Sequence, residues 1–277
     1  MRKLSPLYFF LIIIVLFFNA CTENDDDSED SNINTLDQNA CNVLNLNTRS
    51  NTRIIDGTAC DNLERSPVVR LVFFDSAGRT SFCSGSMITQ REVLTAAHCF
   101  ITRPTQIAML SGDNIDSSEV YEAANWSVHP AFGESNNLAI NDVAIIRLRQ
   151  SVNLPTLPLM INQSAVNGEI VSIFGYGKDE TGAFDFEDLE SGEMRVSDVI
   201  ETHIVAKFNR GSGSNTCQGD SGGPLISNTS SGPAISGITS SGTRLNCLDG
   251  DTSYFAKLSN TSIRNFLTTT VPNANYL

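Results

Sequence analysis

The sequence predicts an all-β protein, an antiparallel sandwich or barrel assembly closed by one short C-terminal helix. Two patterns carry that prediction. Short apolar or alternating runs recur between turn residues, at Val68 to Phe74, Phe82 to Ile88, Val143 to Leu148, Ile170 to Phe174, Ala234 to Thr239 and Tyr254 to Leu258. Strands at such intervals suit a sandwich or barrel. The last segment differs: Ile263, Phe266 and Leu267 stand at i, i+3 and i+4 behind a cap at Asn260 or Thr261, the spacing of one helix face. No internal repeat of fixed period is visible.

The chain has 277 residues, 40% of them hydrophobic and 18% charged, an ordinary globular balance. That length accommodates one all-β body with export and processing segments attached. The formal net charge of -13 argues against nucleic acid as a partner, because phosphate binding rests on clustered Lys and Arg.

Residues 1–20 read as a targeting signal. Arg2 and Lys3 precede an apolar run from Leu7 to Phe18, and Asn19-Ala20-Cys21 closes it, the three regions of a secretory signal. A membrane helix needs about 20 apolar residues, so removal is expected rather than spanning. A Cys directly after a small residue at this place resembles the bacterial lipoprotein processing site, which implies that Cys21 receives lipid and becomes the mature N-terminus. The outcome is an outer-membrane or cell-surface lipoprotein, with plain secretion as the alternative. Glu23, Asp25, Asp26, Asp27, Glu29 and Asp30 then form a self-repelling, solvated block. It resembles, more weakly, the surface-export tags of some lipoproteins. Residues 21–53 read as a lipidated tether and pro-segment, with folded structure beginning near Ile54.

Three segments bear on chemistry. Val93-Leu94-Thr95-Ala96-Ala97-His98-Cys99 places an imidazole at a strand end, where a lone His is usually structural. Asn141-Asp142-Val143-Ala144-Ile145-Ile146 puts a carboxylate before a buried strand, where it needs a partner, although a turn Asp bonding to nearby backbone is the commoner fate. Cys217-Gln218-Gly219-Asp220-Ser221-Gly222-Gly223-Pro224 surrounds one Ser with three glycines. Such a loop allows unusual φ and aims two N–H groups at one point. A plain turn would require neither Asp220 nor Cys217.

Together, Leu94-Thr95-Ala96-Ala97-His98-Cys99, Asp142-Val143-Ala144-Ile145 and Gly219-Asp220-Ser221-Gly222-Gly223-Pro224 resemble the trypsin-like serine proteases, in their His, Asp, Ser order. The resemblance runs from Ile54 to about Leu258, within a catalytic domain of residues 54–277. It implies two six-stranded antiparallel β-barrels with the site in the cleft between them. It also implies a triad of His98, Asp142 and Ser221, with an oxyanion hole from the Gly219 and Ser221 amides. The expected activity is serine endopeptidase action on extracellular protein. An esterase with the same triad and a catalytically silent, protein-binding module are the competing readings.

Arg53-Ile54-Ile55-Asp56-Gly57 resembles the family's activation site. Cleavage after Arg53 would free the Ile54 amine to pair with Asp220 and draw the Gly219 to Ser221 backbone into its oxyanion-binding shape. The bland reading is a strand start after a linker Arg. Seven cysteines divide into one lipidated residue and three pairs, which suits an oxidising compartment. The resemblance implies Cys83 with Cys99 and Cys217 with Cys247. Cys41 and Cys60 remain, flanking Arg53, and a bridge between them would hold the pro-segment on after cleavage. Cys41 left free, or paired with another molecule, is the alternative.

The family's primary pocket has its base six residues before the nucleophile, here Asn215, with walls from Ser240, Ser241, Gly242 and the region of Thr252 and Ser253. A neutral Asn implies no strong preference for Arg or Lys, and hence an external activating protease. The register near Leu248 to Phe255 leaves Asp249 or Asp251 as a source of a carboxylate. Two departures stand out: Asp56 replaces the family's glycine, and the stretch from His203 to Ser214 lacks a common disulfide. Asp113, Asp116, Glu119 and Glu122 stand near the calcium loop of some relatives but read as solvated acids. His129, in Val128-His129-Pro130, and Gly175-Tyr176-Gly177 match framework positions. His203 and Trp126 read as packing residues, and with His98 assigned no paired His is left for zinc. No cofactor is expected. The partners are protein or peptide substrates, the membrane is reached only through the lipid, and the protein is expected to be a monomer.

Overall fold

A computed structural model describes residues 36, 39–49, 54–61, 66–112, 118–178 and 188–277. The targeting segment, Cys21, the acidic block, Arg53, Asp113 and Asp116 lie outside the described residues. No helix among the described residues is long and apolar enough to cross a membrane.

Ordered chain begins before Ile54. A short 3-10 turn at Cys41–Leu44 leads to strand β1 (Asn47–Thr48), which pairs antiparallel with β2 (Thr58–Asp61) across the Arg53 region. Ala40 and Cys41 are fully buried and Leu46 nearly so. The segment is too short and polar for a periodic signal, and the Cys41–Cys60 disulfide supplies the anchoring that its composition does not.

Six strands then close the first barrel: β3 (Val68–Phe74), β4 (Thr80–Met87), β5 (Glu92–Thr95), β6 (Gln106–Ser111), β7 (Glu119–Val128) and, after the small hairpin β8 (Gly133–Ser135) and β9 (Leu138–Ile140), β10 (Ala144–Leu148). Leu71, Phe73, Met87, Val93, Leu94, Met109 and Ile146 fill it. Burying one Leu or Phe of this kind stabilises by about 1.5–3 kcal/mol. The second barrel comprises β11 (Ile170–Gly175), β12 (Leu189–Val199), β13 (His203–Lys207), β14 (Pro224–Thr229), β15 (Gly232–Gly242) and β16 (Thr252–Lys257). Pairing of β12 with β13 closes it, and β2 with β1 extends it beyond β12. Its core includes Ile54, Ile55, Ile173, Val196, Ile204, Leu225 and Phe255.

Helix α1 (Thr261–Thr270) follows. The Asn260 side chain caps it by accepting from the Ser262 and Ile263 amides, a cap worth about 1 kcal/mol. Ile263 and Leu267 face the core, and Phe266 packs on His129 with ring centroids 4.9 Å apart. The two six-stranded barrels and the terminal helix are therefore present as expected.

Candidate active site

Each chemical group is delivered by a strand end. β5 ends at Thr95 and the chain turns through a 3-10 segment at Ala97–Phe100 that carries His98. The Cys83–Cys99 disulfide ties this turn to β4. Asp142 sits just ahead of β10, after Asn141 at φ 56°, a left-handed conformation that Asn tolerates better than most residues. Ser221 precedes β14 in the glycine-rich loop.

The structure brings His98 and Asp142 into contact. The His98 Nδ1 lies 2.8 Å from Asp142 Oδ2, and the His98 amide donates to Oδ1 at 2.8 Å. The Asp142 side chain is wholly buried, whereas that of His98 is 23% exposed. A carboxylate accepting from Nδ1 leaves the second ring nitrogen as an acceptor facing the cleft. Ser240 Oγ donates to Asp142 Oδ2 at 2.5 Å, a partnership that no sequence motif marked.

Ser221 is placed by the same framework. Its carbonyl accepts from the Ser84 amide at 2.8 Å, and Ser84 adjoins Cys83, whose disulfide holds the His98 turn. The next amide, Gly222, donates to Thr239, the neighbour of Ser240. Serine, imidazole and carboxylate thus hang from one short network, although among the described residues no hydrogen bond joins the Ser221 hydroxyl to His98. Such contacts commonly tighten only when substrate binds.

The amides of Asp220, Gly222 and Gly223 are used within the fold, by Cys217, Thr239 and Asp220 carbonyls. Those of Gly219 and Ser221 have no acceptor among the described residues. Gly219 sits at φ 105°, which only glycine adopts freely, and its carbonyl is held by Ser84 Oγ at 2.9 Å. The loop therefore presents two unused donors next to the Ser221 hydroxyl.

Asp220 points the other way, into the second barrel. Its carboxylate accepts from the Gly177 and Cys217 amides, each at 2.8 Å. It is fully buried with no cationic partner among the described residues, and burial pushes its pKa up to about 7 against the pull of those two amides. Gly175 and Gly177 make room for it: a Cβ would fall 2.1 Å from Asp220 Oδ1 at the first and 2.6 Å from the carboxylate at the second. Ile54 is already buried. Asp56 adopts φ 52°, a left-handed conformation that a glycine would take without strain.

All three expected disulfides are present: Cys83–Cys99, Cys217–Cys247 and Cys41–Cys60. Cys83 and Cys99, the sulfur atoms nearest His98, are thereby occupied and offer no thiolate to a metal. Glu122 pairs with Arg149 at 3.0 Å and Glu119 with the Tyr121 hydroxyl. His203 is buried, with Nε2 on the Ala139 carbonyl at 3.0 Å and Nδ1 beside Thr202 Oγ1. Burial lowers its pKa. Trp126 packs on Phe100.

A cavity of about 130 Å³ opens beside Ser221 and is lined by Ser240, Ser241, Gly242, Thr216, Arg244 and Asp251 among others. Ser240, Ser241 and Gly242 line it, whereas Asn215 and Ser253 are not among its lining residues. They form a bonded layer behind it: Ser253 Oγ donates to Asn215 Oδ1 at 2.7 Å, and Asn215 Nδ2 donates to the Cys247 carbonyl and to Asp251 Oδ2. Asp249 is exposed and accepts from the Arg210 amide. Asp251 alone of the two acids lines the pocket.

Residues 54–264 match the Trypsin family. Among known proteins, chymotrypsin-like elastase family member 1 of Bos taurus is 28% identical over 222 residues, covering 72% of this chain and 82% of its own length. Chymase of Mus musculus is 29% identical over 191 residues, covering 62% and 76%. Among solved structures, one described as HL collagenase superposes with a TM-score of 0.66 over 79% of this chain and 99% of its own, at 21% identity. That last likeness is one of fold. The family match spans most of the chain and includes the segments that carry His98, Asp142 and Ser221, so this chain belongs to the trypsin family of chymotrypsin-fold serine proteases.

Proposed function

We propose that the chain is a serine endopeptidase made as a zymogen, in which Ser221 is the nucleophile, His98 the general base and acid, and Asp142 the orienting carboxylate. The observation that carries this reading is the buried Asp142 carboxylate holding the His98 Nδ1 at 2.8 Å, on a framework that also fixes Ser221. In the acylation step Ser221 Oγ bonds to the scissile carbonyl carbon while its proton passes to His98 Nε2. The same proton then goes to the leaving amine as the C–N bond breaks. Water repeats the sequence to release the acid. The Gly219 and Ser221 amides receive the developing oxyanion, a term worth about 3–4 kcal/mol for a single donor.

Activation by cleavage after Arg53 accounts for the unpaired Asp220 carboxylate, which a new Ile54 amine would neutralise. Cys41–Cys60 spans the cut, so residues N-terminal to it, with any lipid on Cys21, stay joined to the active body. The mature enzyme is then an exported, lipid-anchored protease. Its substrates are extracellular proteins.

A serine-directed fluorophosphonate, applied before and after cleavage at Arg53, tests the reading. Stoichiometric modification of Ser221 after cleavage, with little before, is expected. No labelling at either stage would leave a binding module instead. Equal labelling at both stages would remove the zymogen step.

A further inference from the structure

We infer that His203 is a positioning residue: by donating its Nε2 proton to the Ala139 carbonyl it fixes, from the second barrel, the short stretch of chain that delivers Asp142 to His98. This deepens the protease reading above and rests on it. The stretch needs such a hold. It leaves the β8–β9 hairpin, whose strands pair with each other and with no barrel strand, and a lone two-stranded hairpin is marginally stable in water. The hairpin tip at Asn136 and Asn137 is exposed, while Leu138 to Ile140 are half-buried. Asn141 then turns the chain at φ 56°, and Asp142 follows.

Bonds within the first barrel grip the two ends of this loop. The His129 amide donates to the Val143 carbonyl at 3.1 Å, and Asn141 Nδ2 donates to the Ala131 carbonyl at 2.9 Å. The second barrel supplies the rest. Ser240 holds the Asp142 side chain, and His203 holds the backbone just ahead of it, with Nε2 3.0 Å from the Ala139 oxygen. Releasing that carbonyl frees the segment to shift, and Asp142 with it. The carboxylate that orients His98 Nδ1 is then misplaced.

The surroundings of His203 define one tautomer. A carbonyl only accepts, so the proton lies on Nε2, and Nδ1 accepts from the Thr202 hydroxyl at 2.8 Å. Burial lowers the pKa of the ring, against the pull of the Asp142 carboxylate, and keeps the imidazole neutral. The residue is 1% exposed, lies on β13 opposite Ala256, and stands edge-on to Tyr254 with ring centroids 5.9 Å apart. An apolar side chain would serve packing alone at this place. A buried imidazole is costly unless both nitrogens are bonded, so its polarity is explained by the carbonyl it reaches.

The test uses the full chain cleaved at Arg53 and a peptide amide that the wild type hydrolyses. His203→Met keeps an apolar side chain of similar bulk and loses the donor. It is expected to lower kcat by about 10-fold while KM changes by less than about 2-fold, the mark of an interaction that acts in the transition state. His203→Gln, whose side-chain amide can donate from near the place of Nε2, should recover most of that loss. His203→Phe takes the place of the Met variant if the latter does not fold. In proton NMR spectra the strongly deshielded Nδ1 proton of His98 should broaden in the Met or Phe variant and return in the Gln variant. Wild-type kcat in the Met or Phe variant overturns the inference, as does a Gln variant impaired as much as they are. Fluorophosphonate labelling of wild-type Ser221 separates the outcomes: labelling with kcat unmoved by these substitutions defeats only this inference, and no labelling defeats the protease reading beneath it.

Discussion

Ser240 Oγ and His98 Nδ1 meet on the same oxygen of Asp142, Oδ2, at 2.5 and 2.8 Å, while Oδ1 takes the His98 amide. The carboxylate is therefore held in place by three donors drawn from both barrels. A hydrogen bond to a charged group contributes about 1.5–3 kcal/mol. Ser240→Ala is accordingly expected to lower kcat/KM by about 10-fold or more through a misplaced imidazole. Asp142→Asn should lower kcat by about 10⁴-fold. Steady-state kinetics on the cleaved enzyme checks both, and near-wild-type turnover in Asp142→Asn would remove Asp142 from the mechanism.

The pH behaviour of the precursor should report Asp220. In the uncleaved chain its pKa stands at about 7 against an ordinary value of 3.8, so between those values the folded state holds a proton that the unfolded state has released. Stability from this group is full below about pH 4 and declines as pH rises through 7. Thermal melts of Ser221→Ala precursor across pH 4 to 8 should show that decline, and Asp220→Asn should flatten it. On the proposed activation the freed Ile54 amine would offset the buried charge, and the loss should shift to higher pH, above the free amine's value of about 7.7–8.0. Identical profiles for the cleaved and uncleaved forms would refute the pairing.

Gly177 permits the Asp220 carboxylate to lie where it does. Gly177→Ala would put a methyl group 2.6 Å from that carboxylate. Overpacking at a buried site costs about 1–3 kcal/mol. The variant is expected to melt several degrees lower and to lose fluorophosphonate labelling after cleavage. Unchanged labelling would show that the loop does not depend on this contact.

The pro-segment should remain after activation. Besides the Cys41–Cys60 bridge, the Ala40 amide bonds Ser191 Oγ at 3.1 Å, and Arg49 pairs with Asp188 at 3.1 Å. Leu36 packs so closely on Gly213 that a Cβ there would fall 2.6 Å from its Cδ1. Intact mass after cleavage at Arg53 should therefore show no fragment loss without reductant. A single drop to the smaller species in non-reducing conditions would end the retention idea.

Legibility followed the physics of each element. The β3 run and the β11 run are apolar apart from Arg70 and Ser172 and were readable directly. β7 was not, because its sequence EVYEAANWSV is mostly exposed and offers no apolar alternation. β12 carries Glu190, Ser191 and Gly192 at buried positions, chosen by neighbours rather than by periodicity. His98, Asp142 and Ser221 stand in motifs whose spacing is local, so the sequence marks them. Ser240 acts on Asp142, 98 residues away, and Asp251 meets Asn215, 36 residues away, contacts that no local spacing marks.

By itself the amino-acid order determined six of the barrel strands, the terminal helix and the three segments from which the site is made, since each depends on residues close together along the backbone. Only the tertiary structure decided that residues before Ile54 join the body, that Asn215 is locked behind the pocket, and that Asp251 lies within it. Those outcomes depend on which distant donors surround a buried polar group, and such surroundings exist only once both barrels have closed.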